Sequence, residues 1–155
     1  MGQSKPTILV LWGNYFDEYA AVAFVCELRS AGLRVRIVGI DGRLARGRYG
    51  LMLGTEWTID RALQQELADT HLVVPCRSEQ WVQLLHNPLT QRLLLRAKEE
   101  GALVVIPNLG ATQADGTAAS AMAVPPLLLP DALLWSDEEM HSEVARRFVQ
   151  RLQAK

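Results

Sequence analysis

Short, largely apolar runs recur along this chain, and segments with helical spacing separate them. The runs are TILVLW at residues 7–12, LRVRIVGI at 33–40, HLVVP at 71–75 and ALVVI at 102–106. Strands rich in Val, Ile and Leu without strict alternation are typical of a parallel sheet that helices cover on both faces. The alternation of runs and helices therefore predicts an α/β fold, a three-layer αβα sandwich with a mainly parallel sheet.

The helical segments are predicted from their apolar spacing and from their end signals. Gly32 marks the end of the first helix, and Pro88 suits the first turn of another. Residues 41–50 are predicted to be a loop and residues 51–53 a short strand, while residues 111–122 are a weak helix or a loop. A last strand is expected over residues 127–135. Helices are predicted at residues 17–31, from a cap at Thr58 or Asp60 to Leu67, from 78 to the Asn87-Pro88 break, at 88–100, and from a cap at Ser136 or Asp137 to Gln153.

Composition excludes several classes of function. The 155 residues suit one domain, expected over residues 1–155. Because 16 basic side chains face 17 acidic ones, the charge favours neither nucleic acid nor an anionic membrane surface as a partner. No run is long enough to span a bilayer. Two cysteines and three histidines share no metal spacing, so no metal or cofactor is expected, and a cytoplasmic location is the default.

A ligand site in such a fold lies beyond the carboxyl ends of the strands, where the winding of the sheet reverses. The segments at those ends are residues 13–18, 76–80, 107–112 and 136–141. We expect any crevice for a small-molecule ligand to be built from them. The candidate lining residues are Asn14, Asp17, Glu18, Cys76, Arg77, Asn108, Leu109 and Gly110.

Several stretches, in this order and spacing, resemble a known family. They are SAGLRVRIVGIDG, LMLGTEWTIDRAL, ADTHLVVP, NPLTQRLLLRAKEEGALVVIPNLG and LLLPDALLWSDEEMHSEVARRFVQRL. The chain resembles the ThiJ/PfpI proteins of the class I glutamine amidotransferase-like superfamily, whose sheet is flavodoxin-like. The resemblance implies a homodimer or higher oligomer. It also implies an active site with a cysteine on a sharp strand-to-helix turn, an acid from the first turn, and backbone donors from a Pro-Gly-Gly turn. Family members that use such a site include hydrolases, amidases, glyoxalase-like or deglycase-like enzymes and redox-responsive chaperones.

Each of these three elements of the active site differs from the family pattern in this chain. Counted from Gly101, the cysteine position falls on Asn108, while Gly110 keeps the tight turn. Counted back from Gly32, the acid position falls near Ala20, and Asp17 and Glu18 lie about one turn earlier. The Pro-Gly-Gly turn becomes Pro-Cys-Arg at residues 75–77. The resemblance therefore predicts a non-catalytic member, a pseudoenzyme that binds a ligand or assembles with itself as a dimer.

Other interpretations of the same residues stay open. Cys76, next to Arg77, could be a relocated nucleophile with His141 or Glu18 as its partner, giving a cysteine-dependent hydrolase, amidase or glyoxalase-like enzyme. The alternative is that Cys76 is a small buried apolar residue. Asp17 and Glu18 could act as an acid–base pair or only favour the helix dipole. Asn108 could bind a ligand or only satisfy the turn.

Two weaker possibilities concern anions. Arg43, Arg46 and Arg48 could dock a phosphate or an anionic partner, or they could form a solvated loop. A flavodoxin-like nucleotide or phosphate binder is a third functional hypothesis. The chain has no glycine-rich phosphate loop of either usual spacing, which counts against it.

Overall fold

The computed structural model describes residues 5–107, 132–136 and 139–154. The strands are β1 (Thr7–Trp12), β2 (Arg34–Gly39), β3 (Leu44–Arg46), β4 (Met52–Gly54), β5 (Trp57–Thr58), β6 (Thr70–Val73), β7 (Val104–Pro107) and β8 (Leu133–Trp135). The helices in these ranges are α1 (Glu18–Ser30), α2 (Ile59–Leu63), α3 (Ser78–Leu85), α4 (Pro88–Glu99) and α5 (His141–Gln153).

Six strands form one sheet in the order β5-β2-β1-β6-β7-β8, and every neighbouring pair is parallel. From β1 the chain first moves outward to β2, and later returns to β6 on the other side. The winding of the sheet therefore reverses between β1 and β6. This confirms the mainly parallel α/β sheet predicted from the sequence.

Apolar residues pack on both faces of the sheet because the central strands alternate between two cores. In β1, Val10 contributes to the cluster that contains Phe24 of α1 and Phe148 of α5. Its neighbour Leu11 contributes to the opposite cluster, which contains Trp81 of α3 and other residues from α2 and α4. The continuous apolar run of β1 thus buries both of its faces, as the three-layer arrangement requires.

The predicted helix boundaries agree with the structure where a nearby residue provides a start or stop signal. Gly32 adopts φ +77° just beyond α1, in the left-handed region that suits glycine. Asn87 caps α4 by accepting the backbone N–H groups of Leu89 and Thr90, and Pro88 fills the first turn. These two signals lie within a few residues of the chain and need no tertiary contact.

The predicted start of the last helix was wrong. Met140 is the N-cap of α5 and makes no side-chain cap bond, so the helix begins four or five residues after the expected caps. Ser136 instead belongs to a separate turn, because its N–H donates to the Glu139 Oε2 atom at 2.7 Å and its carbonyl oxygen accepts the Glu139 N–H at 3.1 Å. Asp137 lies outside the described residues.

The prediction of a loop over residues 41–50 was also wrong in part. Strands β3 and β4 form an antiparallel hairpin, with Arg46 opposite Met52. The hairpin rests against the loop after β1, since the Tyr15 N–H donates to the Arg46 carbonyl oxygen at 2.7 Å and Phe16 forms a bridge with Gly47. This contact positions the hairpin beside the carboxyl end of β1.

Candidate functional site

The loops that follow β1 and β6 meet at the point where the winding reverses. The Asp17 N–H donates to the Pro75 carbonyl oxygen at 3.4 Å, so residues 13–17 and 74–77 are in direct contact. A crevice at this position is the general ligand site of open parallel sheets. Two of the four segments predicted to line a site, residues 13–18 and 76–80, are therefore adjacent.

Asp17 is buried, and both of its carboxylate oxygens are engaged. As the N-cap of α1 it accepts the Ala20 N–H on Oδ1 at 3.0 Å. Its Oδ2 atom accepts from Nε of Arg77 at 3.3 Å. The ion pair joins the start of α1 to the loop after β6, and the positive end of the helix dipole stabilises the same carboxylate. Asp17 is thus a link between the two loops of the crevice.

Glu18 is also buried, but its carboxylate faces the β3–β4 hairpin. The Tyr49 N–H lies 3.1 Å from Oε1 and 3.0 Å from Oε2, and the Leu51 N–H donates to Oε2 at 3.3 Å. Backbone donors to an ionised acceptor form the stronger class of hydrogen bond. The two adjacent acids therefore serve different parts of the site: Asp17 binds the β6 loop, and Glu18 binds the turn of the hairpin.

Gly47 makes the close approach of Glu18 possible. A Cβ atom at position 47 would overlap the Cδ, Oε1 and Cγ atoms of the Glu18 side chain. Gly47 is buried, and its own N–H donates to the Leu51 carbonyl oxygen at 2.8 Å within the hairpin. The glycine is required here because the carboxylate occupies the space that a side chain would fill.

Arg48, Tyr49 and Tyr19 lie next to these residues, on the side of the site that faces solvent. The Arg48 guanidinium lies over the Tyr49 ring, 5.3 Å from its centroid, and Tyr49 meets Tyr19 edge to face at 5.6 Å. The Nη1 atom of Arg48 is buried, and it has no hydrogen-bond partner within the described part of the chain. Buried donors are nearly always satisfied, so this atom is a position at which a ligand with an acceptor oxygen could bind.

The two residues of the relocated-nucleophile hypothesis pack in different surroundings. Cys76 is 2% exposed and belongs to the core cluster under α2, α3 and α4. His141 is the first residue of α5, and its ring meets Trp135 edge to face at 5.2 Å, on the side of the α1–α5 cluster. The His141 Nδ1 atom is buried, and no hydrogen-bond partner for it lies among the described residues.

Asn14 lies in the loop after β1 and is exposed. Its N–H donates to the Asp41 Oδ2 atom at 2.8 Å, and its Oδ1 atom accepts the Arg46 N–H at 3.3 Å. The side chain therefore helps to hold the hairpin. The remaining lining candidates, Asn108, Leu109 and Gly110, lie outside the described residues.

The contribution of the hairpin turn was missed from the sequence. Its glycines, at positions 47 and 50, separate two short runs in LARGRYGLML, which is a pattern that can indicate a hairpin with a longer loop. Nothing local in that pattern points to Glu18, which lies 31 residues before its partner Tyr49.

Within the described ranges, no three His, Cys, Asp or Glu side chains are grouped so that they could hold a metal ion. Nor does any helix in the part of the chain described combine the length and apolar character needed to cross a membrane.

Comparison with known proteins gives structural neighbours, but no match to a family model or to a curated protein. A DJ-1 superfamily protein from Salmonella typhimurium aligns with a TM-score of 0.70 at 16% identity, over 97% of this chain and 91% of its own. Toxoplasma gondii DJ-1 aligns at 0.72 and 15% identity, over 95% and 90% of the two chains. Drosophila melanogaster DJ-1beta aligns at 0.71 and 15%, over 97% and 92%.

These matches extend over nearly the whole length of both proteins, so they compare complete folds and not a shared βαβ unit. They also agree with the resemblance to ThiJ/PfpI proteins that the sequence carries. At such low identity the likeness concerns architecture alone. The chain therefore has the flavodoxin-like fold of the DJ-1/ThiJ/PfpI proteins.

Proposed function

We propose that residues 1–155 form one non-catalytic domain of the DJ-1/ThiJ/PfpI type, which works by binding a ligand or by assembling with itself. In this proposal Asn108 stands at the turn where the family resemblance implies a cysteine. An amide is neither a nucleophile nor an acid under ordinary conditions, so the turn can donate and accept hydrogen bonds but cannot attack a substrate.

The observation that carries the proposal is the engagement of both crevice carboxylates. A general acid or base needs an oxygen that can reach the substrate. Glu18 is surrounded by the backbone N–H groups of the hairpin turn, and Asp17 is used by its own helix and by Arg77. Each acid thus has a structural task that a catalytic proton transfer would interrupt.

The burial of Cys76 supports the same proposal. A nucleophilic thiolate needs access to its substrate and surroundings that stabilise its charge. Cys76 is almost fully enclosed by an apolar cluster, whereas Cys26 is exposed on α1. Because an exposed free thiol persists in a reducing environment, we also propose that the protein works in the cytoplasm.

A small-molecule ligand would bind at the crevice between the β1 and β6 loops. Asn14 and Arg77 lie on these two loops, Arg48 lies on the adjoining hairpin, and Asn108 would add an amide. Donors outnumber free acceptors in this set, because the oxygens of Asp17 and Glu18 are in use. The proposed ligand therefore carries acceptor oxygens, as a carboxylate or carbonyl compound does.

The test compares the two cysteines of the native, dilute protein. We expect an alkylating reagent to modify Cys26 promptly and Cys76 only after unfolding, and we expect no turnover of methylglyoxal, simple esters or simple amides. Cys26→Ser is the matched control for Cys76→Ser, because both replace one of the two thiols. Turnover that survives Cys26→Ser but is lost in Cys76→Ser would overturn the proposal in favour of a cysteine-dependent hydrolase, amidase or glyoxalase-like enzyme, with His141 or Glu18 as the partner of the thiol.

A further inference from the structure

Three arginines and one tryptophan form a strip of side chains at the β5 edge of the sheet. Arg34, Arg36 and Val38 project from the same side of β2, because side chains alternate along a strand. Val38 is paired with Trp57 of β5, and both belong to the side of the sheet that α2 covers. The guanidinium of Arg61, in α2, lies over the Trp57 ring. We call these four residues the arginine strip: Arg34, Arg36, Trp57 and Arg61.

The Trp57 ring holds two of the guanidinium groups in place. The Cζ atom of Arg36 lies 5.7 Å from the ring centroid, and the Cζ atom of Arg61 lies 5.5 Å from it. A guanidinium attracted to an aromatic ring still presents its N–H groups as a rigid fork that matches a carboxylate. The two arginines are therefore partly ordered before a partner arrives, which lowers the entropic cost of binding.

Positive charge along the strip is only partly compensated. Glu56 is shared by two arginines, since Oε1 accepts from Nη2 of Arg29 at 2.9 Å and Oε2 accepts from Nη1 of Arg36 at 3.0 Å. Arg34 and Arg61 are exposed, and neither has a carboxylate within ion-pair distance in the described ranges. The excess is local, because the whole chain has a formal net charge of −1. The group that complements this surface is an anion.

We propose that the arginine strip docks an extended, acidic segment of another protein. Arg34 and Arg36 are two residues apart in β2, which corresponds to about 6.6 Å. Alternate side chains of an extended peptide have the same spacing, so successive carboxylates of such a segment can face successive arginines. Tryptophan and arginine are also enriched among the residues that carry most of the binding energy at protein interfaces.

A nucleic acid fits the strip less well than an acidic protein segment does. Glu56 and Asp60 lie beside the strip in the sequence, and their carboxylates would repel a continuous run of phosphates. The formal net charge of −1 also gives a polyanion no long-range attraction to the molecule. A short segment with a few carboxylates needs only the local charge of the strip.

The strip is separate from the crevice. In the sheet β2 lies between β5 and β1, whereas the crevice lies on the other side of β1, between the β1 and β6 loops. β5 has two residues, and no strand in the described part of the chain pairs with its outer edge, where Trp57 is partly exposed. The proposal therefore adds a second binding surface, which does not depend on what the crevice binds or on whether the protein is an enzyme.

The first experiment follows the fluorescence anisotropy of a labelled peptide in which glutamate alternates with serine, as the full chain is added at low salt. We expect binding that weakens as the salt concentration rises, and no binding of the same peptide with glutamine in place of glutamate. Arg34→Gln and Arg61→Gln should each raise the dissociation constant about three- to fivefold, which is the size of one exposed ion pair.

Arg151→Gln is the matched control. Arg151 is also exposed and has no ion pair among the described residues, but it lies on α5, which packs against the opposite face of the sheet. Circular dichroism confirms that each variant is folded. A glutamate peptide that does not bind, or a control that weakens binding as much as Arg61→Gln does, would overturn the proposal. Tighter binding of oligothymidylate or of phosphatidylserine vesicles would also overturn it, because the strip would then serve a nucleic acid or a membrane.

The second experiment locates the bound peptide through tryptophan fluorescence. We expect the unlabelled glutamate peptide to change the emission of the wild-type chain, and this change to be lost in Trp57→Phe. Trp81→Phe is the matched control, because Trp81 is buried in the core and should not sense the peptide. An emission change that persists in Trp57→Phe would place the peptide elsewhere and contradict the proposal.

Discussion

Helices α1 and α5 lie side by side on one face of the sheet, and each has 13 residues. Their inner surfaces are alike, since Phe24 of α1 and Phe148 of α5 are fully buried in the same cluster. Their outer surfaces differ. α5 presents Arg146, Arg147 and Arg151, as solvent requires, whereas α1 presents Tyr19, Val22 and Cys26. Because folding needs only the inner surfaces, the core does not require the apolar side chains on the outer surface of α1.

The starts of the two helices differ as well. Asp17 caps α1, and Glu18 in its first turn is buried against the hairpin. The N-cap of α5 is Met140, which makes no side-chain cap bond. Residues that hold the crevice and the hairpin together are thus concentrated at the start of α1, while α5 serves chiefly to cover the core.

The largest expected effect tests whether the inner surfaces really are equivalent. Phe24→Ala and Phe148→Ala should each lower the free energy of unfolding by about 3–5 kcal/mol, because each removes a fully buried aromatic ring and leaves a cavity. Urea denaturation followed by circular dichroism measures both. If one variant costs less than about 1 kcal/mol, which is below the range for such a cavity, the helices do not share one core.

The next largest expected effect compares the first turns of α1 and α5. Glu18→Ala should lower the free energy of unfolding by about 2–3 kcal/mol, since it removes the carboxylate that accepts hydrogen bonds from backbone donors in the hairpin turn. Glu143→Ala is the matched control, because Glu143 is the first-turn acid of α5, and its loss should cost no more than about 1 kcal/mol of helix-dipole stabilisation. Equal losses of stability in the same urea titration would mean that the bonds from Glu18 to the hairpin contribute little.

The smallest effect concerns the contact between the outer surfaces. Arg146 of α5 approaches Glu27 of α1, with Nη2 and Oε1 3.4 Å apart, and the Arg146 side chain is 64% exposed. Arg146→Ala should therefore lower the free energy of unfolding by less than about 1 kcal/mol at low salt. The loss should disappear in 1 M NaCl, which screens exposed charges. A larger, salt-independent loss would show that the arginine packs against α1 through its stem.

The parts of the fold that the sequence predicts correctly have causes that lie within a few residues. The apolar run of β1, the Asn87–Pro88 helix start and the Gly32 turn each carry their own signal. A short strand was predicted over residues 51–53, close to β4, but β3 and its pairing with β4 were missed because strands of three residues are too short for a clear alternation. The roles of Asp17 and Glu18 could not be separated in the sequence, because their partners lie 31–60 residues away along the chain.

The residue types at positions 18 and 47 should depend on each other in homologous sequences. As long as residue 18 is a glutamate in its present place, every larger residue at position 47 is excluded by the overlap with that side chain. A homologue that carries alanine or serine at position 47 should therefore have a shorter residue at position 18 or a displaced hairpin. Such paired replacement would also move Tyr49 and Leu51, so the shape of the exposed surface and the identity of residue 18 should change together during evolution.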